Sequence, residues 1–137
     1  MPAISWAFLC DYAYVDPGGK PSIIGMFENI RAAQLPSRHP QIFLVMQVVV
    51  QSGENVKIGA IISSPSSQEI AKISPPAFTA PAGNPAESKK FVLVLSFYHV
   101  EFTETGEHHV EIFIGDNCIH SIPFNLILVK LRPDNPK

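Results

Sequence analysis

Three of the five histidines fall between residues 99 and 109, and two of them belong to the cluster Glu107-His108-His109-Val110-Glu111. Imidazole and carboxylate are natural ligands of zinc, iron or manganese. In extended backbone, residues two apart share a face. His109 and Glu111 therefore sit together, as do His99 and Glu101 on the preceding run. If those two runs pair in register, His99, His109 and Glu111 make a candidate metal site. The adjacency of His108 and His109 argues the other way, because it sends their side chains to opposite faces. The simpler expectation is a solvated outer face beside a polar turn, since His and Glu are commonly exposed. No cofactor is expected.

Other chemistries have less to draw on. Ser5, Ser96 and Ser121 lie in apolar runs without a nucleophile-elbow pattern or a glycine-rich oxyanion loop. Cys10 precedes Asp11, and a neighbouring carboxylate raises rather than lowers a thiol pKa. The four aspartates, at 11, 16, 116 and 134, are too dispersed for a calcium loop. Gly18-Gly19 lacks the following helix that phosphate binding requires. Asp11 itself is out of place, because Asp is disfavoured in mid-strand; it is a candidate interaction residue.

The elements that must position these residues are strands. Residues 4–15 alternate: Ile4, Trp6, Phe8, Cys10, Tyr12 and Tyr14 on one side, Ser5, Ala7, Asp11 and Ala13 on the other, with Leu9 and Val15 as large intruders. Asp16-Pro17-Gly18-Gly19 is a tight turn with positive φ expected at the third position. Ser22–Ile30 returns the chain, so a hairpin opens the fold. Its aromatic side is a core face or a platform for a small ligand or glycan; the apolar strands that follow need something to pack on and favour core. Strands are expected at 41–51, 56–63, 89–103, 108–114 and 118–131, with a weak or edge strand at 68–74. The runs 41–51 and 89–103 are apolar on both faces, as central strands are. Pro123 is the one proline inside a run and marks a bulge or an edge. Residues 75–88 carry four prolines and run extended, as a crossover between sheets or as a stiff recognition loop with Phe78 as its anchor. No helical periodicity emerges. About eight strands with regular turns predict an all-β fold, a two-sheet antiparallel sandwich of immunoglobulin-like, Greek-key type. It occupies 1–131 as a single domain with a polar tail at 132–137.

Composition sets the company such a domain keeps. Charged residues are 16% against 46% hydrophobic, below the roughly 25% charge of ordinary soluble domains. So little charge leaves part of the surface to be covered by another subunit or a protein partner. Ten basic residues are scattered against twelve acidic ones, which disfavours nucleic acid and anionic membrane as partners. Cys10 and Cys118 are too few for a disulfide scaffold and are expected as buried thiols. Without a recognisable leader or an apolar run long enough to span a bilayer, a cytoplasmic setting is expected.

The opening W-A-F-L-C-D-Y-A with P-G-G-K and I-I-G-M-F-E, and the ending T-G-E-H-H-V-E-I-F-I-G-D-N-C-I-H-S-I-P-F, resemble a family of small bacterial β-proteins that is a domain of unknown function. The resemblance implies the sandwich fold and a bacterial cytoplasmic setting. It implies no activity, cofactor or catalytic residue. From the residues, the favoured function is a non-enzymatic interaction or structural module that takes a protein partner, a second copy of itself, or both. A metal-dependent protein and a ligand-binding sandwich are the competing readings.

Overall fold

The computed structural model describes residues 2–84 and 87–130; the polar tail expected at 132–137 lies outside the described residues. The opening hairpin joins β1 (Ala3–Val15) to β2 (Pro21–Met26). Its turn differs in detail from expectation. The Gly19 amide donates to the Asp16 carbonyl at 2.9 Å, and the positive φ falls on Gly19, not Gly18. This is a tight turn followed by a left-handed residue, a three-residue hairpin loop that keeps the strands twisting together. Asp16 closes it by accepting from the Lys20 amide at 2.9 Å.

The chain then forms β3 (Asn29–Ala32), β4 (Ser37–Gln51), β5 (Asn55–Val56), β6 (Ile58–Ser63), β7 (Glu69–Ile73), β8 (Phe78–Thr79), β9 (Ser88–Phe102), β10 (Gly106–Ile114) and β11 (Asn117–Leu128). One sheet has the order β2-β1-β4-β9 and is antiparallel throughout. The other is β3-β11-β10-β6-β7, antiparallel except where β3 joins β11 in parallel. The two sheets pack face to face, and the chain passes repeatedly from one to the other, as in immunoglobulin-like sandwiches. The fold class therefore stands, with eleven strands among the described residues where about eight were expected. The expected second strand, 22–30, is two strands in different sheets. The 68–74 run is an edge strand.

The main core lies between the sheets. Ile42, Leu44, Met46, Val48 and Val50 project into it from β4, meeting Ile58, Ala60 and Ile62 of β6, Val110 and Ile112 of β10, and Phe124 and Leu126 of β11. Burial alternates cleanly in β6 and along most of β10, whereas β4 is buried on both faces from Ile42 to Met46.

Three irregularities decide which way most of the remaining side chains point. A fourth break lies in the opening hairpin, where the pair Asp11–Gly25 is missing, Gly25 has φ 69°, and Cys10 and Ala13 pack on one cluster despite their odd spacing. In β1, Ile4 pairs with Val48 but Trp6 pairs with Gln47, so Ser5 is one residue too many and forms a bulge. Ile4 thus packs on the main core, whereas Trp6 packs on the other side of the sheet. The second and third lie opposite each other, Pro40 in β4 and His99 in β9. The register runs His39 to Val100 and Gln41 to Tyr98 and omits the pair between. Proline has no N–H for the ladder, and His99 takes φ 54°. Both strands reverse facing there: Phe97 is in the core, and so are Val100 and Phe102. The unbroken alternation expected for 89–103 is corrected accordingly.

The proline-rich segment is the crossover from β7 to β9. Within it β8 pairs with β5, and the Ala80 amide donates to the Glu54 carbonyl at 2.8 Å. Pro123 lies in β11 ahead of Asn125, where β3 joins, so its ring occupies a position with β10 as the paired neighbour.

Candidate functional site

The expected metal constellation does not assemble. β9 pairs with β4, and β10 lies in the opposite sheet between β6 and β11. The polar link 103–105 carries the chain across the sandwich instead of turning a hairpin, so His99 is in a different layer from His109 and Glu111. Among the described residues, no group of three His, Cys, Asp or Glu side chains converges as a metal site. His109 and Glu111 do share a face, as strand spacing requires. Glu111 accepts a hydrogen bond from the Ser63 hydroxyl at 2.7 Å, and His109 is 3.9 Å from Glu107. They border a shallow depression of about 380 Å³ lined with Ser63, Ser64 and Ser67. This is a solvated polar face.

Phe78 is not an exposed anchor. It is half-buried against the main core with its ring edge-on to Phe91, centroids 5.8 Å apart. It pins the crossover down. Asp11 is exposed, as a mid-strand Asp must be without a buried partner. Its carboxylate occupies the space a side chain at Gly25 would fill, and Gly25 has φ +69°. It also lies near enough to His39 to oppose the fall in that imidazole's pKa caused mainly by burial.

The thiols divide. Cys10 is buried, and burial raises its pKa against a backbone hydrogen bond with Tyr12. Cys118 is exposed, which corrects the expectation for that residue: it sits beside the tight β10–β11 turn, outside the main core.

The largest correction concerns the opening strand. Its aromatic side was expected in the core, yet beyond the bulge at Ser5 it is Ala7 and Leu9 that pack on the core. Trp6, Phe8, Cys10 and Tyr12 point away from it, onto the outer face of the four-stranded sheet. The register builds that face row by row. Met26, Cys10, Phe43 and Ser96 form one row; Phe8, Val45 and Val94 the next; Trp6, Gln47 and Val92 a third. Ile24 stands beside Tyr12, and Tyr98 beside Gln41. Cys10, Ala13, Phe43 and Val45 form a small second cluster of buried residues, with Trp6, Ile23, Val92 and Val94 packed on it. Trp6 stacks on Phe8 at 5.6 Å, and Tyr12 meets Phe43 edge-on at 5.1 Å.

The rim of this cluster is open. Ile24 is 57% exposed, Met26 56% and Tyr98 62%; Phe8, Tyr12 and Tyr14 are exposed too. Seven of the nine exposed large hydrophobic side chains among the described residues belong to strands of this one sheet. Isolated exposed apolar residues are ordinary; a contiguous face of them marks an interaction surface. Sequence reasoning had named Trp6, Tyr12 and Tyr14 as a possible platform but missed Ile24, Met26 and Tyr98. Period-2 spacing of Ser22, Ile24 and Met26 opposite Tyr14, Tyr12 and Cys10 was the available signal for the β2 part.

A model described as a family of unknown function (DUF6941) matches residues 5–127. No curated protein matches the chain. Among solved structures, the Pseudomonas fluorescens alkylpurine DNA glycosylase AlkC, bound to DNA containing an abasic site analog, is similar with TM-score 0.54 and 12% identity over 91% of this chain. The chain spans 30% of the length of that glycosylase. An immunoglobulin-like protein from Pseudomonas aeruginosa aligns over 92% of this chain and 96% of its own, with 16% identity and TM-score 0.46. Among the described residues no helix is long and apolar enough to cross a membrane.

Proposed function

The chain belongs to this family of unknown function, and from that premise we propose that it is a non-enzymatic protein-interaction module of the bacterial cytoplasm, docking through the outer face of its four-stranded sheet. The observation that carries this reading is the set of exposed large side chains on this one sheet, Phe8, Tyr12, Tyr14, Ile24, Met26 and Tyr98, beside a half-covered aromatic cluster. Aromatic and Met side chains are the types enriched at interface centres, and charged ones are depleted there.

The other readings have less behind them. Glycan sites combine exposed rings with several converging hydrogen-bonding groups, whereas the rings here are flanked mainly by Ile24, Met26, Val92 and Val94, with single Gln and Ser side chains spaced between them. A nucleic-acid role like that of the DNA-bound glycosylase calls for a basic stripe, and this chain has ten basic residues against twelve acidic ones.

The test is affinity capture from native lysate with the intact chain and with Tyr12→Asp/Ile24→Asp. Both positions are exposed, so the variant keeps its fold, checked by circular dichroism. The intact chain should retain a protein that the variant loses. Equal recovery by both would remove the assignment of this face.

A further inference from the structure

Resting on the reading of that face as an interface, we infer that its occupant is a second copy of the same chain, two sheets stacking outer face to outer face about a two-fold axis. Area is the first support. With roughly 200 Å² for a fully exposed large side chain, the exposed fractions of Phe8, Tyr12, Tyr14, Ile24, Met26 and Tyr98 amount to on the order of 600 Å² per copy. Two copies would thus bury about 1,200 Å² before the half-exposed Trp6, Val92 and Val94 are counted, which reaches the standard interface range of about 1,200–2,000 Å². A single copy leaving this much apolar surface in water would sit at or beyond the top of the range of about 300–600 Å² for the largest patch on ordinary monomers.

Charge is the second support. A surface that binds its own copy meets its own charges, so any net charge at its centre repels itself. The central rows of this face contain no ionised residue: between the apolar side chains lie Gln41, Gln47, Ser22 and Ser96, with Lys90 beyond Val92 at one end and the oppositely charged cross-strand pair Arg38 and Glu101 beyond Tyr98 at the other. Such a face is electrically self-compatible, as an isologous contact requires. A partner of different chemistry would more commonly be selected by complementary charge. Geometry is the third. Sheets stack about 10 Å apart with strands within about 30° of each other, so the paired rows between the Ser5 bulge and the Pro40–His99 break can interdigitate with those of a second copy. The result is a four-layer stack with this sheet doubled at its centre.

Light scattering coupled to size exclusion, at chain concentrations up to about 100 µM, well above the µM dissociation constants of weak standard-size interfaces, tests this. The intact chain should elute with twice the 15.0 kDa chain mass. Ile24→Glu/Met26→Glu, which sets like charges against each other, should elute as a single chain with unchanged circular dichroism. Ile127→Glu/Leu128→Glu, at the exposed hydrophobic pair of the other sheet, should remain a dimer. A monomeric intact chain, or a dimer that the Ile24/Met26 variant leaves intact, overturns the proposal. A monomer that still loses a captured protein on Tyr12→Asp/Ile24→Asp would sink the second-copy assignment alone; loss of neither property would sink the interface reading as well.

Discussion

At position 108 an imidazole occupies a place that leucine or phenylalanine would ordinarily fill. His108 is 1% exposed, stacked on Phe124 at 5.3 Å and edge-on to Phe102 at 5.2 Å. Its Nδ1 lies 3.1 Å from the Gly106 carbonyl. A carbonyl only accepts, so the proton of the neutral ring sits on Nδ1. Burial lowers its pKa and His109 adds to this, while the Gly106 carbonyl and Glu104 oppose it. The folded state therefore resists a proton that the unfolded state accepts. By linkage, its contribution to stability is intact above the ordinary imidazole pKa near 6.5 and declines as pH falls through that value toward the lower folded one. His39 acts in the same direction, moderated by Asp11. The urea midpoint of the intact protein should fall between pH 7.5 and pH 5, and His108→Phe should lose less over the same interval. Equal losses would show that His108 is not responsible. Parity along β10 placed His108 inward with Val110 and Ile112, so its direction was legible. Its aromatic enclosure was not, because Phe102 and Phe124 come from strands whose facing and pairing no local pattern reveals.

Among the elements, β4 and β9 show what period-2 reading can and cannot deliver. The runs are in place and apolar on both sides, which suits β4 at the centre of its sheet, whereas β9 forms the edge of that sheet. Their reversal at Pro40 and His99 was hidden, since a proline at a run's start reads as a boundary and a histidine in a strand reads as a surface residue. The left-handed backbone at His99 is stabilised by its surroundings at a cost of about 1–2 kcal/mol for an L-residue. Exposed substitutions ordinarily shift stability by less than about 0.5 kcal/mol. His99→Val should nevertheless destabilise by about 1–2 kcal/mol, since a β-branched side chain tolerates this region poorly, whereas His99→Gly should be neutral or stabilising. Urea denaturation of both variants measures the difference. A harmless valine would mean that the kink is not enforced there. The same reversal separates His99 from the His109–Glu111 pair less than sheet assignment does. A strand's partner depends on whether the next turn closes a hairpin or crosses the sandwich, and Glu104-Thr105-Gly106 is compatible with either.

For the whole molecule, the shortage of charge was the clearest message of the sequence, and the structure gives it a location. The excess apolar surface is concentrated on one face of one sheet. Which side of β1 faced inward could not be decided from composition, because both sides offered apolar residues and the taller, aromatic one was the natural choice for a core. The inner layer is filled instead by β4, β6, β10 and β11, leaving room beneath β1 only for Ile4, Ala7 and Leu9. An assembly held by such a face depends on burial, not on ion pairing. Raising sodium chloride from about 0.05 to about 0.5 M should change its dissociation constant by less than about threefold, because screening acts on exposed charges and the central rows have none. Sedimentation at the two salt concentrations checks this. A dissociation constant rising tenfold or more would point to charged contacts outside the rows described.

The extra residue in β1 makes membership of a face a matter of counting. Ile4 and Trp6 would share a side in a regular strand, and Ser5 alone puts one against the core and the other outside. A swap of Ser5 for threonine or alanine keeps the frame. Deleting Ser5 keeps it as well, because Ile4 and Trp6 then become neighbours that still oppose Val48 and Gln47 on opposite faces. The frame is lost only if Ser5 is drawn into the ladder, which would turn Ile4 to the outer face.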